Sequence, residues 1–153
     1  MNKNMDLAIK EAFLGIRKKD GGPFGAVIVK NGKVIARGHN EVLKNNDPTS
    51  HGEIVAIRKA GKKLKNFDLS GCEIYTSCYP CPMCLAAIYW ARIKTVYYGC
   101  SESDAEKLGF DDKLINDIFK GNKKGILKMK QIEMDSCLKP FKKFNEMNDK
   151  KMY

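Results

Sequence analysis

Four residues in the middle of the 153-residue chain could bind and use a metal ion: His51, Glu53, Cys81 and Cys84. Zinc prefers nitrogen and sulfur ligands in a tetrahedral arrangement, and the two cysteines, three residues apart, present two thiols at the first turn of a predicted helix. The partial positive charge of a helix N-terminus favours the thiolate that a metal requires. A Cys-x-x-Cys pair is also typical of redox dithiols, so the pair alone leaves both uses open.

His51 favours the metal over the redox interpretation. It follows the turn residues Asp47-Pro48-Thr49-Ser50 and begins a second predicted helix, so its imidazole could reach a metal that the cysteines also bind. Three protein ligands leave a fourth position for water, as in catalytic zinc sites, and zinc lowers the pKa of bound water to about 7. We therefore predict one catalytic Zn²⁺ per chain, bound by His51, Cys81 and Cys84.

Glu53 lies two residues after His51 and completes a His-x-Glu pattern with a later Pro-Cys-x-x-Cys, the signature of zinc deaminases. A carboxylate beside the attacking water, but not bound to the metal, can carry protons to a ring nitrogen and to the departing amine. Ser50 and Glu53 also match a Ser-x-x-Glu capping box, in which Glu53 would only bond backbone amides. Ser50 and Glu53 taken alone favour the capping box, but their occurrence together with His51 and the cysteine pair at these spacings favours the catalytic role, and we predict that Glu53 is the proton carrier.

Cys78 lies three residues before Cys81 and could be a fourth zinc ligand or part of an iron–sulfur motif, for which Cys100 would be a remote candidate for the fourth cysteine. Either arrangement would close the metal site to water. Neither explains Glu53, so we predict that Cys78 is not a ligand.

The elements that must position these residues alternate between helices and strands. Apolar spacing predicts helices over 5–18, 51–64, 82–92 and 112–120 and a helix after Pro140, with strands over 25–30, 34–40, 73–77, 95–100 and 127–134. Asn31-Gly32 predicts a tight antiparallel hairpin, and the strand–helix–strand order after residue 72 predicts a parallel pair. The predicted fold class is α/β, a mixed five-stranded sheet with helices on both faces.

Length and composition favour one globular domain without a membrane span. The chain is long enough to bury a core, and its 43% hydrophobic and 30% charged residues are ordinary for globular proteins. Its longest apolar run is too short to cross a membrane, and six cysteines without a secretion signal predict reduced thiols and a cytoplasmic protein. The net charge of +10 comes mainly from dispersed lysines, which favours solvated faces over a nucleic-acid-binding surface.

The chain resembles the cytidine deaminase superfamily and, within it, the small bacterial guanine deaminases almost from end to end. The matching segments are Gly21-Gly22-Pro23-Phe24-Gly25-Ala26, Asn45-Asn46-Asp47-Pro48-Thr49, Tyr75-Thr76-Ser77-Cys78, Pro80-Cys81-Pro82-Met83-Cys84, Ile88-Tyr89-Trp90-Ala91-Arg92, Gly109-Phe110-Asp111-Asp112 and Lys150-Lys151-Met152-Tyr153. The resemblance implies a three-layer α/β/α cytidine deaminase-like fold over residues 1–153. It also implies a homodimer in which the helical tail 137–153 is exchanged between subunits.

The same resemblance implies roles for individual residues in the hydrolysis of guanine to xanthine and ammonia. Asn40 and the backbone of Gly52 would hold the purine, and Phe24 and Trp90 would shape its pocket. Asp112 would join Glu53 in proton transfer, and Tyr153 would close the site. Read without the resemblance, these residues could equally be core aromatics, turn formers, a helix cap and a frayed terminus.

Two rival functions share parts of this pattern. A tRNA adenosine deaminase acting on the anticodon adenosine would use the same zinc chemistry, and the +10 charge is its best support. A structural zinc module that binds nucleic acid would take Cys78 as its fourth ligand. Turnover of a small base would exclude that module.

Overall fold

A computed structural model of the protein describes residues 2–125 and 127–151. In chain order its elements are α1 (Lys3–Lys18), β1 (Gly25–Lys30), β2 (Lys33–His39), α2 (Val42–Asn45), α3 (Gly52–Leu64), β3 (Cys72–Cys78), α4 (Pro82–Trp90), β4 (Thr95–Cys100), α5 (Glu102–Glu106), α6 (Asp112–Phe119) and α7 (Met134–Glu146). The chain divides into two compact units, residues 1–123 and residues 124–153.

The first unit contains a mixed sheet in the order β2-β1-β3-β4. β1 pairs antiparallel with both β2 and β3, and β3 pairs in parallel with β4 across the α4 crossover. The turn between β1 and β2 contains Asn31 and Gly32 at φ 51° and 72°, the positive values that a tight hairpin requires. The predicted hairpin and the predicted parallel pair are both confirmed.

Helices cover both faces of this sheet, because successive strand residues point to opposite sides. On one face, Val27, Val29 and Tyr75 pack with Ala8 of α1. On the other face, Ile28 and Ile74 pack with apolar residues of α3 and α4, among them Ala56, Ala60 and Ile88. The layers are therefore α/β/α, as predicted.

The predicted fifth strand, over 127–134, is wrong for the described residues, which form a four-stranded sheet. Residues 127–133 have no regular secondary structure, and Met134 already belongs to α7. Leu127 and Met129 alternate with Lys128 and Lys130, which gives the period of a strand. A strand also needs a hydrogen-bonded neighbour, and the alternation of residue types does not supply one.

The C-terminal helix begins earlier than predicted, because Pro140 lies inside α7 and not before it. Proline removes one hydrogen bond from a helix but does not always end it. Met134, Leu138 and Phe141 continue the helical apolar spacing across Pro140. Within the described part of the chain, no helix has the length and apolar character needed to cross a membrane.

Candidate metal centre and catalytic cavity

The N-terminal ends of two helices bring the three predicted zinc ligands together. His51 is the N-cap of α3, Cys81 is the N-cap of α4, and Cys84 lies in the first turn of α4. Neither N-cap side chain bonds to the amides of its own helix, so the imidazole and the thiol can turn toward each other. Pro82 starts α4 where its missing N–H costs no helix hydrogen bond.

The spacing of the ligand atoms fits a tetrahedral zinc ion. His51 Nδ1 lies 3.6 Å from Cys81 Sγ and 3.6 Å from Cys84 Sγ, and all three ligand atoms lie within 4.8 Å of one another. Zinc–sulfur bonds of about 2.3 Å and zinc–nitrogen bonds of about 2.0–2.1 Å at tetrahedral angles separate nitrogen from sulfur by about 3.6 Å. The three residues can therefore bind zinc where they stand, with one coordination position left over.

The charges of the three side chains also suit a cation. A hydrogen bond from Cys84, helped by His51, lowers the pKa of Cys81 to about 4. The bond to Cys81 raises the pKa of the Cys84 thiol, and the same thiolate raises the pKa of His51. The Cys81 thiolate is thus stabilised by hydrogen bonds from Cys84 and His51. A divalent cation can replace the protons in those hydrogen bonds.

Glu53 is buried beside this centre but is not part of the ligand group. The Thr76 hydroxyl donates to Glu53 Oε1 over 2.7 Å, and Cys84 Sγ donates to Oε2 over 3.4 Å. Burial raises the pKa of the Glu53 carboxyl, which suits a group that both gains and loses a proton. The capping-box interpretation is wrong, because the N-cap is His51 and the Ser50 hydroxyl bonds to Asp47.

A cavity of about 520 Å³ opens in front of the centre, within the usual size range of small-molecule sites. Phe24 and Phe110 form an aromatic corner on its wall, with ring centroids 4.8 Å apart at 78°. The lining residues are Gly21, Gly22, Phe24, Asn40, Val42, Leu43, Pro48, His51, Glu53, Cys78, Tyr79, Cys81, Phe110, Asp111, Asp112 and Ile115. Apolar walls with a few polar groups at one end are typical of a site for a flat, partly polar ring.

Three of the other predicted site residues lie at or beside this cavity. Asn40 is buried, and its Oδ1 accepts hydrogen bonds from the backbone amides of Gly22 and Val42 over 3.3 Å and 3.2 Å. Asp112 is the first residue of α6, and burial raises the pKa of its carboxyl. Gly52 is buried between His51 and Glu53, which both line the cavity.

One predicted residue among those that the structure describes is not brought to the cavity. Trp90, at the end of α4, is 60% exposed and is not among the residues that line it. The Arg92 guanidinium lies over its ring, 5.7 Å from the centroid. Tyr153 lies outside the described residues.

Two residues of the site, Thr76 and Phe110, had no role assigned to them from the sequence. Thr76, which holds the Glu53 carboxyl, follows Ile74 on the α3 side of β3, so strand alternation from that core residue could have found it. Phe110 belongs to a segment of family resemblance, but its contact with Phe24 crosses most of the chain and has no local signal. Cys78 lines the cavity with its thiol donating to the Ser101 carbonyl over 3.4 Å, and it is absent from the ligand group, as predicted.

Comparisons with known proteins agree with this arrangement. Residues 1–100 match the cytidine and deoxycytidylate deaminase zinc-binding region. Guanine deaminase of Bacillus subtilis is 47% identical over 95% of this chain and 94% of its own length, and its crystal structure superposes with a TM-score of 0.91 over 100% of this chain and 99% of that one. A tRNA-specific adenosine deaminase of Buchnera aphidicola is 36% identical over 92% of this chain and 90% of its own length.

A second solved guanine deaminase, from Nitrosomonas europaea, is 33% identical with a TM-score of 0.67, over 71% of this chain and 63% of that chain. The matched region contains Glu53 and the three residues whose ligand atoms are placed to bind zinc, His51, Cys81 and Cys84. The chain belongs to the zinc-binding cytidine and deoxycytidylate deaminase family.

Proposed function

We propose that the protein hydrolyses guanine to xanthine and ammonia with one zinc ion per chain. The observation that carries the proposal is the meeting of a three-ligand zinc site and a buried, non-ligating glutamate at one end of an aromatic-walled cavity. The guanine deaminase of Bacillus subtilis supports the choice of base because it is 47% identical over 95% of the chain, whereas the tRNA-specific relative is 36% identical over 92% of it.

In the proposed reaction, His51, Cys81 and Cys84 hold the metal. Zinc, when bound, is a Lewis acid that makes water a nucleophile at neutral pH. Glu53 takes a proton from the water that attacks C2 of guanine and passes it to a ring nitrogen. Glu53, assisted by Asp112, then carries the remaining proton of the new C2 hydroxyl to the amine. The C2–N bond breaks, ammonia leaves, and C2 becomes the carbonyl carbon of xanthine. Thr76 keeps the Glu53 carboxyl in place throughout, through its bond to Oε1.

Asn40 supplies a reason for selecting guanine. Two backbone amides occupy its Oδ1, so its Nδ2 group is the side that can donate into the cavity. A donor suits the O6 acceptor of guanine, whereas adenine has an amino group, itself a donor, in the place of O6. Because a buried polar group left unpaired is costly, such a site can reject the wrong base by about 10⁴–10⁵.

Three further features of the proposal rest on the family resemblance. We expect one deaminase domain over residues 1–153, assembled as a homodimer. We expect Tyr153, at the end of the tail 137–153, to close over the base and leave no room for ribose. We place the reaction in the cytoplasm, where the free cysteines stay reduced and able to bind metal.

An ammonia-release assay with guanine, adenine, cytosine, cytidine and tRNA at matched enzyme concentration tests the proposal. We expect release from guanine and little from the others. The rival activity on tRNA has support in the net charge of +10 and in the tRNA-specific relatives. Release from the tRNA anticodon adenosine with none from guanine would establish that rival and would leave the zinc assignment intact.

Salt dependence separates the two substrates further. Guanine is uncharged, so its kcat/KM should change less than about twofold between 50 and 200 mM salt. Binding of a polynucleotide through six to ten phosphate contacts should weaken by about 10³–10⁵ over the same range. Steep salt dependence of the main activity would contradict a free base as the substrate.

A further inference from the structure

A buried histidine lies directly beside the substrate-binding Asn40 and takes no part in the proposed chemistry. His39, the last residue of β2, is 4% exposed. Its Nδ1 lies 3.3 Å from Glu11 Oε2 of α1, and its Nε2 lies 2.8 Å from Asp20 Oδ2 in the loop after α1. One side chain thus links the end of a central hairpin to a helix and to the loop that follows the helix.

The ring of His39 contacts carboxylates on two separate segments of the chain. A carboxylate accepts hydrogen bonds from ring N–H groups, and the contact with Asp20 is the shorter of the two. The bond from His39 lowers the pKa of Asp20, which keeps that acceptor ionised. The other charged groups around the ring are Glu41, 3.8 Å from Nε2, and Lys44 and Lys59, which both pair with Glu41. His39 therefore lies at the centre of a cluster of three carboxylates and two lysines that joins β2 to α1 and to the loop after α1.

Asp20 connects this charge cluster to the cavity wall. Its backbone carbonyl accepts hydrogen bonds from the amides of Leu43 and Lys44, each over 3.0 Å, which fixes the start of α2. The next residue, Gly21, lies so close to Asn40 that a Cβ on it would be 2.0 Å from Asn40 Oδ1. The amide of Gly22 then donates to that same Oδ1. A shift of Asp20 would therefore displace Gly21 and Gly22, the two residues that contact the Asn40 side chain.

We infer that His39 is a positioning residue that holds the loop Asp20–Gly22 against Asn40 and so fixes the side-chain amide that recognises the base. The inference rests on the proposed function, because it assigns His39 to substrate recognition at that site. His39 does not line the cavity. Its loss would remove the side-chain contacts with Glu11 and Asp20, and release of Asp20 would loosen the wall that holds Asn40.

The test compares His39→Gln with Asp6→Asn, a control that breaks a surface ion pair with Lys10 on α1. We expect His39→Gln to raise KM for guanine about tenfold, the effect of losing one well-placed hydrogen bond, while kcat stays within about twofold and one zinc per chain remains bound. Asp6→Asn should change neither constant. A KM within twofold of wild type in zinc-loaded His39→Gln would overturn the inference.

A double-mutant cycle shows whether His39 acts through Asn40. If it does, adding His39→Gln to Asn40→Ala should raise KM little further, because the group being positioned is already gone. Adding Asp20→Asn to His39→Gln should recover part of the lost affinity, since the neutral amide pair restores a bond and removes one unpaired carboxylate. Full additivity in the cycle would refute the transmission through Asn40.

A measurement without substrate keeps the inference separate from the proposed function. The Gly22 and Val42 amides, which donate to Asn40 Oδ1, should exchange hydrogen for deuterium at least about tenfold faster in His39→Gln than in Asp6→Asn. Should His39→Gln fail to fold, Asp20→Asn makes the same test. Unchanged exchange in a folded variant would overturn the inference, whereas wild-type enzyme inactive on guanine would overturn only the proposed function.

Discussion

At the scale of single residues, Glu53 and Cys84 have different roles because of what their side chains contact. Both are buried and both belong to the deaminase motif, but Cys84 lies in the ligand group, whereas Glu53 lies beside that group and lines the cavity. The two carboxylate oxygens of Glu53 contact the Thr76 hydroxyl and the Cys84 sulfur. The position fits a proton carrier and gives a clear expectation for its replacement.

We expect Glu53→Gln to keep its fold and zinc while kcat falls by about 10²–10⁴, the usual loss for a general acid–base group. Glutamine keeps the size of the side chain and can still accept from Thr76. Kinetics, metal analysis and melting curves on the same sample check this. The matched control is Glu73→Gln, a half-buried glutamate on β3 that accepts from Tyr75 and should leave kcat unchanged. Near-normal turnover in Glu53→Gln would exclude Glu53 as the proton carrier.

Zinc content distinguishes the three ligands from their neighbour Cys78. Cys81→Ala, Cys84→Ala and His51→Ala should each lose zinc or bind it much more weakly, because each removes one of three ligands. Cys78→Ser should keep one zinc per chain, since its thiol is directed to the Ser101 carbonyl and a hydroxyl can make the same bond. Atomic absorption on purified variants measures the content. Complete loss of zinc from Cys78→Ser would mean a closed four-ligand site.

At the scale of elements, local signals carried most of what could be predicted. Proline and turn residues fixed where α3 and α4 begin, and those two starts place the metal ligands. The hairpin turn at Asn31 and Gly32 fixed the pairing of β1 with β2. The short helices α2 and α5 were missed, because four or five residues are too few to show an apolar period.

Contacts between segments that are distant along the chain could not be predicted from the sequence alone. The contact of Phe24 with Phe110, and the cluster of His39 with Glu11 and Asp20, depend on which loops meet in space. The predicted strand over 127–134 failed for the opposite reason, since its alternating pattern was present but its partner strand was not. Local residue type thus predicted the metal ligands better than the cavity walls.

The close packing of β2 against α3 gives a prediction at this scale. A Cβ on Gly38 would lie 2.6 Å from the Gly52 carbonyl oxygen and 2.7 Å from the Ala56 amide, so Gly38→Ala must push the start of α3 outward. We expect the free energy of unfolding to fall by about 1–3 kcal/mol, as for other overpacked cores. Zinc affinity should fall too, because His51 moves with α3. Urea unfolding and competition with a chelator measure both changes.

The control for this prediction is Gly61, a glycine within α3. A Cβ on Gly61 would meet only the Asn66 carbonyl oxygen, at 3.3 Å, so Gly61→Ala should change stability by no more than about 1 kcal/mol and leave zinc affinity alone. If Gly38→Ala binds zinc as tightly as Gly61→Ala, the position of α3 does not depend on its contact with β2.

At the scale of the whole molecule, the distribution of charge bears on the kind of substrate. The net charge of +10 is large for 153 residues, but α3 carries Lys59 and Lys63 in contacts with Glu41 and with the Ile35 carbonyl. These lysines serve the protein's own packing, and the cavity itself is lined by aromatic, apolar and acidic groups. An acidic cavity repels phosphate and accepts an uncharged base, which agrees with the proposed reaction on free guanine.

The proposed role of the tail gives the last prediction. If the C-terminal residues close the site, deletion of 149–153 should raise KM or lower kcat while zinc stays bound. Mixing the deleted chain with full-length Glu53→Gln then tests exchange, because the deleted chain retains Glu53 and the other chain supplies a tail. Activity should return in mixed dimers if the tail acts across subunits. A mixture of the deleted chain with a deleted Glu53→Gln chain is the control and should stay at the deleted level. Proven subunit mixing without recovery would mean that each tail acts on its own chain.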